Sequence, residues 1–152
     1  MKFKSHLIVS ALASAALLSA CSSPQTSPEE PVETTVSFVK SYDHWAQSGY
    51  ADPIPDALLD LASTEMRDVL EEDQDWYLTG QVQQHGDVEI TGTELIESNN
   101  DHAVVRVTLD ASNVSVTAEG QETWVDYSKP IVSEFTLEKS KAWRVVSAAS
   151  AK

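Results

Sequence analysis

The stretch "HAVVRVTLDA", residues 102–111, decides the fold class because it alternates without a break. Ala103, Val105, Val107, Leu109 and Ala111 fall on one side; His102, Val104, Arg106, Thr108 and Asp110 fall on the other. A period of two puts successive side chains on opposite faces, so this is a half-buried strand. Just upstream, "SNND" (98–101) reads as a hairpin turn, since Asn and Asp tolerate the left-handed conformation. Val88 and Ile90 begin the strand before it, and Gly92 marks a bulge that shifts parity to Leu95. Downstream, Ile131, Ser133, Phe135 and Leu137 form another strand, which "KSK" (139–141) returns through Trp143, Val145 and Ser147. The intervening residues 113–130 read as a shorter strand, a turn at Glu119–Gly120 and a loop ended by Pro130.

Before the strands the period is helical. Val32, Val36, Val39, Asp43 and Ala46 make one stripe, and Phe38, Tyr42 and Trp45 an adjoining one. Together they predict a helix from about Val32 to Gln47, ended by Gly49. A Pro-rich turn, "YADPIPD" (50–56), follows. Asp56 is then expected to cap a short helix through Leu58, Leu59 and Leu61. Ser63 or Thr64 caps a further helix bearing Met66, Val69, Leu70, Trp76, Tyr77 and Leu78, ending near Gly80. Helices first and tightly turned strands after predict an α+β fold, its N-terminal helices packed on one face of a curved antiparallel sheet.

The N-terminus reads as an address. Lys2 and Lys4 precede an apolar run, residues 7–20, that ends Leu18-Ser19-Ala20 before Cys21, the only cysteine of the chain. A membrane-spanning helix needs about 20 apolar residues, and a basic start with a shorter apolar run is the pattern of a secretory signal. The Leu18–Cys21 segment resembles the bacterial lipoprotein signal, which implies removal of residues 1–20 and a lipid on the Cys21 sulfur. Stable anchoring takes more than one acyl chain, which the diacylglyceryl group of bacterial lipoproteins would supply. Residues 21–31 are then the lipidated cysteine and a spacer, "SSPQTSPEEP" (22–31), with no apolar side chain to bury. Residues 32–152 suffice for one domain with one core. The expected location is the extracytoplasmic face of a cell membrane, with the lipid on Cys21 as the membrane contact.

The formal charge is −14, and loss of Lys2 and Lys4 with the leader would make it −16. Such acidity argues against nucleic acid as a partner and against lying flat on an anionic lipid surface. With Cys21 lipidated, no thiol is left for catalysis or a disulfide. His85 and His102 share no metal-ligand spacing, and "EEDQD" (71–75) lacks the glycine and residue order of a calcium loop. Those acids read as a solvated helix face. There is no phosphate-binding Gly-rich loop, G-x-S-x-G elbow or H-E-x-x-H. No cofactor and no metal are expected.

The order "VSFVKSYDHWAQSG" (36–49), short helices, then meandering strands ending "FTLEKSKAWRVVS" (135–147) resembles the nuclear transport factor 2-like cone. In that superfamily a last strand entered through a W-R-V triplet, as at Trp143-Arg144-Val145, is frequent. With the lipoprotein signal included, the chain also resembles actinobacterial lipoproteins of unknown function that carry such a domain. It lacks the cysteine pair that members often have near the second helix. The resemblance implies a conical pocket between helices and concave sheet, suited to a hydrophobic ligand, and a sheet that many relatives use for homodimerisation. It also implies an alternative activity, since some relatives are isomerases, dehydratases or cyclases with an Asp or His base in the pocket. The candidates for acid and base here are Tyr42 and Asp43, beside His44, on the first helix, with Asp126 and Tyr127 near the mouth. Neighbours on a helix diverge by about 100°, so Asp43 and His44 cannot face one point. Trp45, Trp76 and Trp143 fall on apolar stripes and are expected in the core; Trp124 is the candidate for a pocket rim or partner contact. With no convergent acid, base or metal set, the leading expectation is a non-catalytic binding or interaction domain. Its partner would be an envelope protein or a small hydrophobic ligand.

Overall fold

The computed structural model describes residue 27, residues 29–123 and residues 127–151. Three helices come first: α1 (Glu29–Gln47), α2 (Asp56–Leu59) and α3 (Thr64–Thr79). Seven strands follow: β1 (Gln83–His85), β2 (Glu89–Ser98), β3 (His102–Asp110), β4 (Ser115–Ala118), β5 (Gln121–Thr123), β6 (Ile131–Lys139) and β7 (Trp143–Ser150). The expected α+β architecture is what forms, with α1 and α3 against one face of an antiparallel sheet ordered β2-β3-β6-β7. A second sheet, β1-β4-β5, is small and was not legible as such, because β1 and β5 have only three residues each and no alternation of hydrophobics. Its hairpin turn is as expected: Glu119 (φ 51°) and Gly120 (φ 75°) are both left-handed, the pair that a two-residue turn requires.

The alternation in β3 sorts its side chains as predicted. Ala103, Val105 and Val107 are fully buried, while Arg106 faces outward and donates to Glu134 at 2.7 and 3.1 Å and to Glu94 at 3.1 Å. The bulge at Gly92 is present, as a register shift between Ile90 and Gly92; a second shift follows between Leu95 and Glu97. In the 99–101 turn no residue is left-handed. The carboxamide oxygen of Asn99 accepts from the Asp101 and His102 N–H groups at 3.1 and 2.8 Å, so a side-chain bond shapes the turn instead.

Helix α1 starts three residues before the apolar pattern does. The Glu29 N–H donates to Ser27 Oγ at 3.3 Å, Glu29 and Glu30 put acidic side chains in the first turn, and Pro31 is buried. Capping chemistry rather than hydrophobicity therefore sets this end, and the last three residues of the expected spacer are helical. Asp56 does not cap α2; Pro55 occupies the N-cap position and makes no side-chain bond. Ser63 does cap α3, accepting from the Met66 N–H at 3.2 Å. The link between α2 and α3 is stitched to the sheet: the Val145 N–H donates to the Leu61 carbonyl at 2.8 Å and the Ser63 N–H to the Val145 carbonyl at 2.9 Å. Both helices are thereby fixed over β7.

The core between helices and sheet holds Phe38, Trp45, Leu58, Leu70, Leu137 and Val145, with Trp143 also buried. Trp76 is the exception to the expectation for the tryptophans, at 68% exposed. Its neighbour Tyr77 takes the inward direction, in line with Met66, Leu70 and Asp73, and a residue one step away points about 100° elsewhere. Among the described residues no helix is long and apolar enough to cross a membrane.

Candidate functional site

The core does not fill the cone. Between α1, α3 and the concave side of the sheet lies an open cavity of about 490 Å³, within the range of small-molecule sites. Its floor and far wall are apolar: Phe38 and Val39 from α1, Met66 and Leu70 from α3, and Leu109, Ile131, Phe135 and Val146 from the sheet. One wall is polar and aromatic. Tyr42 and Asp43 come from α1, Asp73 and Tyr77 from α3, Gln84 from β1, and Tyr50 and Tyr127 from loops.

Three tyrosines form a connected aromatic wall. Tyr50 stacks on Tyr77 with ring centroids 3.9 Å apart, and the Tyr42 ring meets Tyr50 edge-on at 6.2 Å and Trp45 at 5.8 Å. Tyr50 reaches this position through a left-handed backbone, φ 57°, which is uncommon for a bulky residue. Its surroundings hold it there. The Tyr50 N–H donates to the Trp45 carbonyl at 3.1 Å, Gln74 Nε2 donates to the Tyr50 carbonyl at 3.1 Å, and Trp45 Nε1 ties down the Ala51 carbonyl at 3.0 Å. Burial pushes the Tyr42 and Tyr50 phenols well above their ordinary range; Tyr50, Tyr77 and Asp73 add to this for Tyr42, and Tyr77 and Asp73 for Tyr50. Tyr127 is raised in the same direction, by burial first. These hydroxyls stay protonated at any physiological pH and can donate a hydrogen bond into the cavity.

The two carboxylates differ. Asp43 is a strut: Oδ1 accepts from Gln84 Nε2 at 2.5 Å and from the Val88 N–H at 3.3 Å, and Oδ2 accepts from Gln47 Nε2 at 2.9 Å. It thus joins α1 to β1 and to the start of β2. Asp73 has neither an ion pair nor a hydrogen-bond donor among the described residues, and burial, then the neighbouring Glu72, raises its pKa.

Of the expected site residues, Tyr42 and Asp43 both line the cavity, Tyr127 joins them, and His44 is exposed on a different face of α1. Cys21, Trp124 and Asp126 lie outside the described residues. His85 sits in β1, bonded to Thr117 Oγ1 at 3.2 Å, whereas His102 starts β3. No group of three or more His, Cys, Asp or Glu side chains is placed to hold a metal among the described residues. Sequence reasoning missed Tyr50, Tyr77 and Asp73 as cavity residues. Asp73 was read with the solvated acidic run, although Met66, Leu70, Asp73 and Tyr77 recur at helical spacing and so share one face.

Fold and cavity together define an α+β cone protein with an open, mostly apolar pocket that carries hydrogen-bonding groups on one wall. Comparison with solved structures agrees on the fold. The chain is similar to the intermembrane space region of the chloroplast protein ARC6, at TM-score 0.51 and 11% identity over 78% of this chain and 94% of that one. It is similar to a Novosphingobium aromaticivorans protein named provisionally as an aromatic ring hydroxylase, at TM-score 0.51 and 10% identity over 81% and 94% of the two chains. A Xanthomonas campestris domain named provisionally as a calcium/calmodulin-dependent protein kinase II association domain gives TM-score 0.46 and 16% identity over 76% and 83%. No family model matches the chain, and no curated relative matches it. At these identities the likeness extends to the fold alone, helices packed on one face of a curved antiparallel sheet.

Proposed function

We propose that this chain is a lipid-anchored envelope protein whose cone binds an apolar small molecule without transforming it. The observation that carries the binding reading is the open cavity of about 490 Å³, apolar on its floor and polar on one wall. Burying an apolar ligand there contributes about 25 cal/mol per Å² of surface removed from water, and the phenols supply orientation. Asp43, held by three N–H donors, braces the wall and leaves the binding reading without a dedicated base on α1. The anchoring part rests on Leu18-Ser19-Ala20-Cys21 after an apolar run, and the actinobacterial lipoprotein family remains the finer assignment that this pattern suggests.

The test of binding is titration of purified protein with the neutral fluorophore N-phenyl-1-naphthylamine. Saturable binding at one site is expected, and it should be lost in Ala148→Trp, which puts a large ring at an exposed cavity-lining position while leaving the core alone. Absence of saturable binding in the unmodified protein would sink the proposal. For the anchor, Cys21→Ala should move the protein from the membrane fraction to the soluble fraction.

A second reading has one observation behind it: Asp73, with its raised pKa, shares the cavity with Tyr42 and Tyr77. A carboxyl of that kind beside phenol donors is the equipment of an isomerase- or cyclase-type pocket. Turnover of an apolar ketone or enol ester that Asp73→Asn abolishes would establish it.

A further inference from the structure

We propose that the cavity selects apolar amines over apolar acids: its polar wall is an anionic and aromatic seat for an organic cation. The inference rests on the binding reading above and specifies the chemical class of its ligand. Every charged side chain that lines the cavity among the described residues is a carboxylate, Asp43 or Asp73; no Lys, Arg or His lines it. Two of the bases are paired away from it, Arg106 with Glu134 and Glu94 on the outer face of the sheet and Lys139 with Glu30.

The two carboxylates divide the work. Asp43 has its oxygens satisfied by Gln84, Gln47 and the Val88 N–H, whereas Asp73 makes no hydrogen bond or ion pair among the described residues. An ammonium group near Asp73 would supply the partner that the fold withholds, and a ligand carboxylate there would meet like charge in a partly desolvated place. Tyr42, Tyr50 and Tyr77 add ring surface beside the same carboxylate. The negative face of an aromatic ring attracts a cation, more so where water is excluded. The formal charge of −14 draws cations toward the whole molecule and repels anions.

The experiment compares three ligands of one chain length, octylamine, octanol and octanoate, by displacement of N-phenyl-1-naphthylamine from the full chain at two salt concentrations. The amine is expected to bind at least about tenfold more tightly than the acid, with the alcohol between them. Asp73→Asn should bring amine and acid to within about threefold. Asp75→Asn is the control, an equal change of net charge at an exposed position of α3 outside the cavity lining, and it should keep the preference. Octanoate binding as tightly as octylamine would overturn the selectivity and leave the pocket reading intact. Equal effects of Asp73→Asn and Asp75→Asn would assign the preference to overall charge and overturn the seat. If none of the three displaces the probe and the probe itself does not bind, both the pocket reading and the selectivity fall.

Discussion

If Asp43 is a strut and not a base, the two simplest substitutions at that position must separate. In Asp43→Ala all three acceptor contacts disappear, to Gln84 Nε2 (2.5 Å), Gln47 Nε2 (2.9 Å) and the Val88 N–H (3.3 Å). A hydrogen bond to a charged group contributes about 1.5–3 kcal/mol when well made and shielded, and less when long or exposed. Only the Gln84 bond is short and spans distant elements; the Gln47 bond lies within one helix, and the Val88 bond is long. The loss should therefore total about 2 kcal/mol, which at this chain length lowers Tm by about 4–8 °C. In Asp43→Asn the Oδ1 acceptor survives, so Gln84 and Val88 keep their partner, and only the bond to Gln47, whose Nε2 still donates to Asp87 Oδ1 at 3.0 Å, is lost. That variant should lose less than about 1 kcal/mol. Urea and thermal unfolding followed by circular dichroism measure both, and probe binding should survive in Asp43→Asn. Two equally destabilised variants, or a neutral Asp43→Ala, would refute the strut.

Three further outcomes follow from the same geometry. Asp73 has a raised folded-state pKa, so its ionised form disfavours folding: stability on its account is full below the ordinary carboxylate pKa and falls as pH rises through the raised value. Asp73→Asn should thus raise Tm at pH 7 and not at pH 3, where the wild-type carboxyl is already protonated. Gly86 is left-handed (φ 88°) and a Cβ there would lie 2.3 Å from the Asn113 carbonyl oxygen, so Gly86→Ala should destabilise by about 2 kcal/mol or more in urea titration. Trp76→Ser should change stability by less than about 0.5 kcal/mol in the same assay, because the ring is 68% exposed, whereas Leu58→Ala, fully buried, should lose about 2–5 kcal/mol.

The parts of the fold that were legible are those in which one face is buried. Strand β3 could be read residue by residue because Ala103, Val105 and Val107 alternate against His102, Val104 and Arg106, and only one register hides the first set. The sheet β1-β4-β5 escaped because Gln83, Gln84, His85, Gln121, Glu122 and Thr123 have no hydrophobic period; backbone pairing alone defines those strands. The start of α1 was hidden for a related reason: "SPEEP" (27–31) has the composition of a spacer, and a cap at Ser27 with acids in the first turn makes it helical. At the site, Tyr42 and Asp43 were legible as neighbours on or beside an apolar stripe. Tyr50 was not, since its place in the wall depends on a left-handed backbone fixed by Gln74, 24 positions away. Asp73 illustrates the converse error: a run of acids looks solvated as a group, yet helical spacing turns one of them inward beside Tyr77.

The central claim is that the cone is an open binding cavity. Its most direct test is an amide and side-chain NMR titration of the protein with octanol. The account predicts saturable shifts at Tyr42, Tyr77, Ile131, Phe135 and Ala148, which line the cavity on three of its sides. Shifts confined to the outer face around Arg106 and Glu134, or no saturable shifts at all, would contradict it.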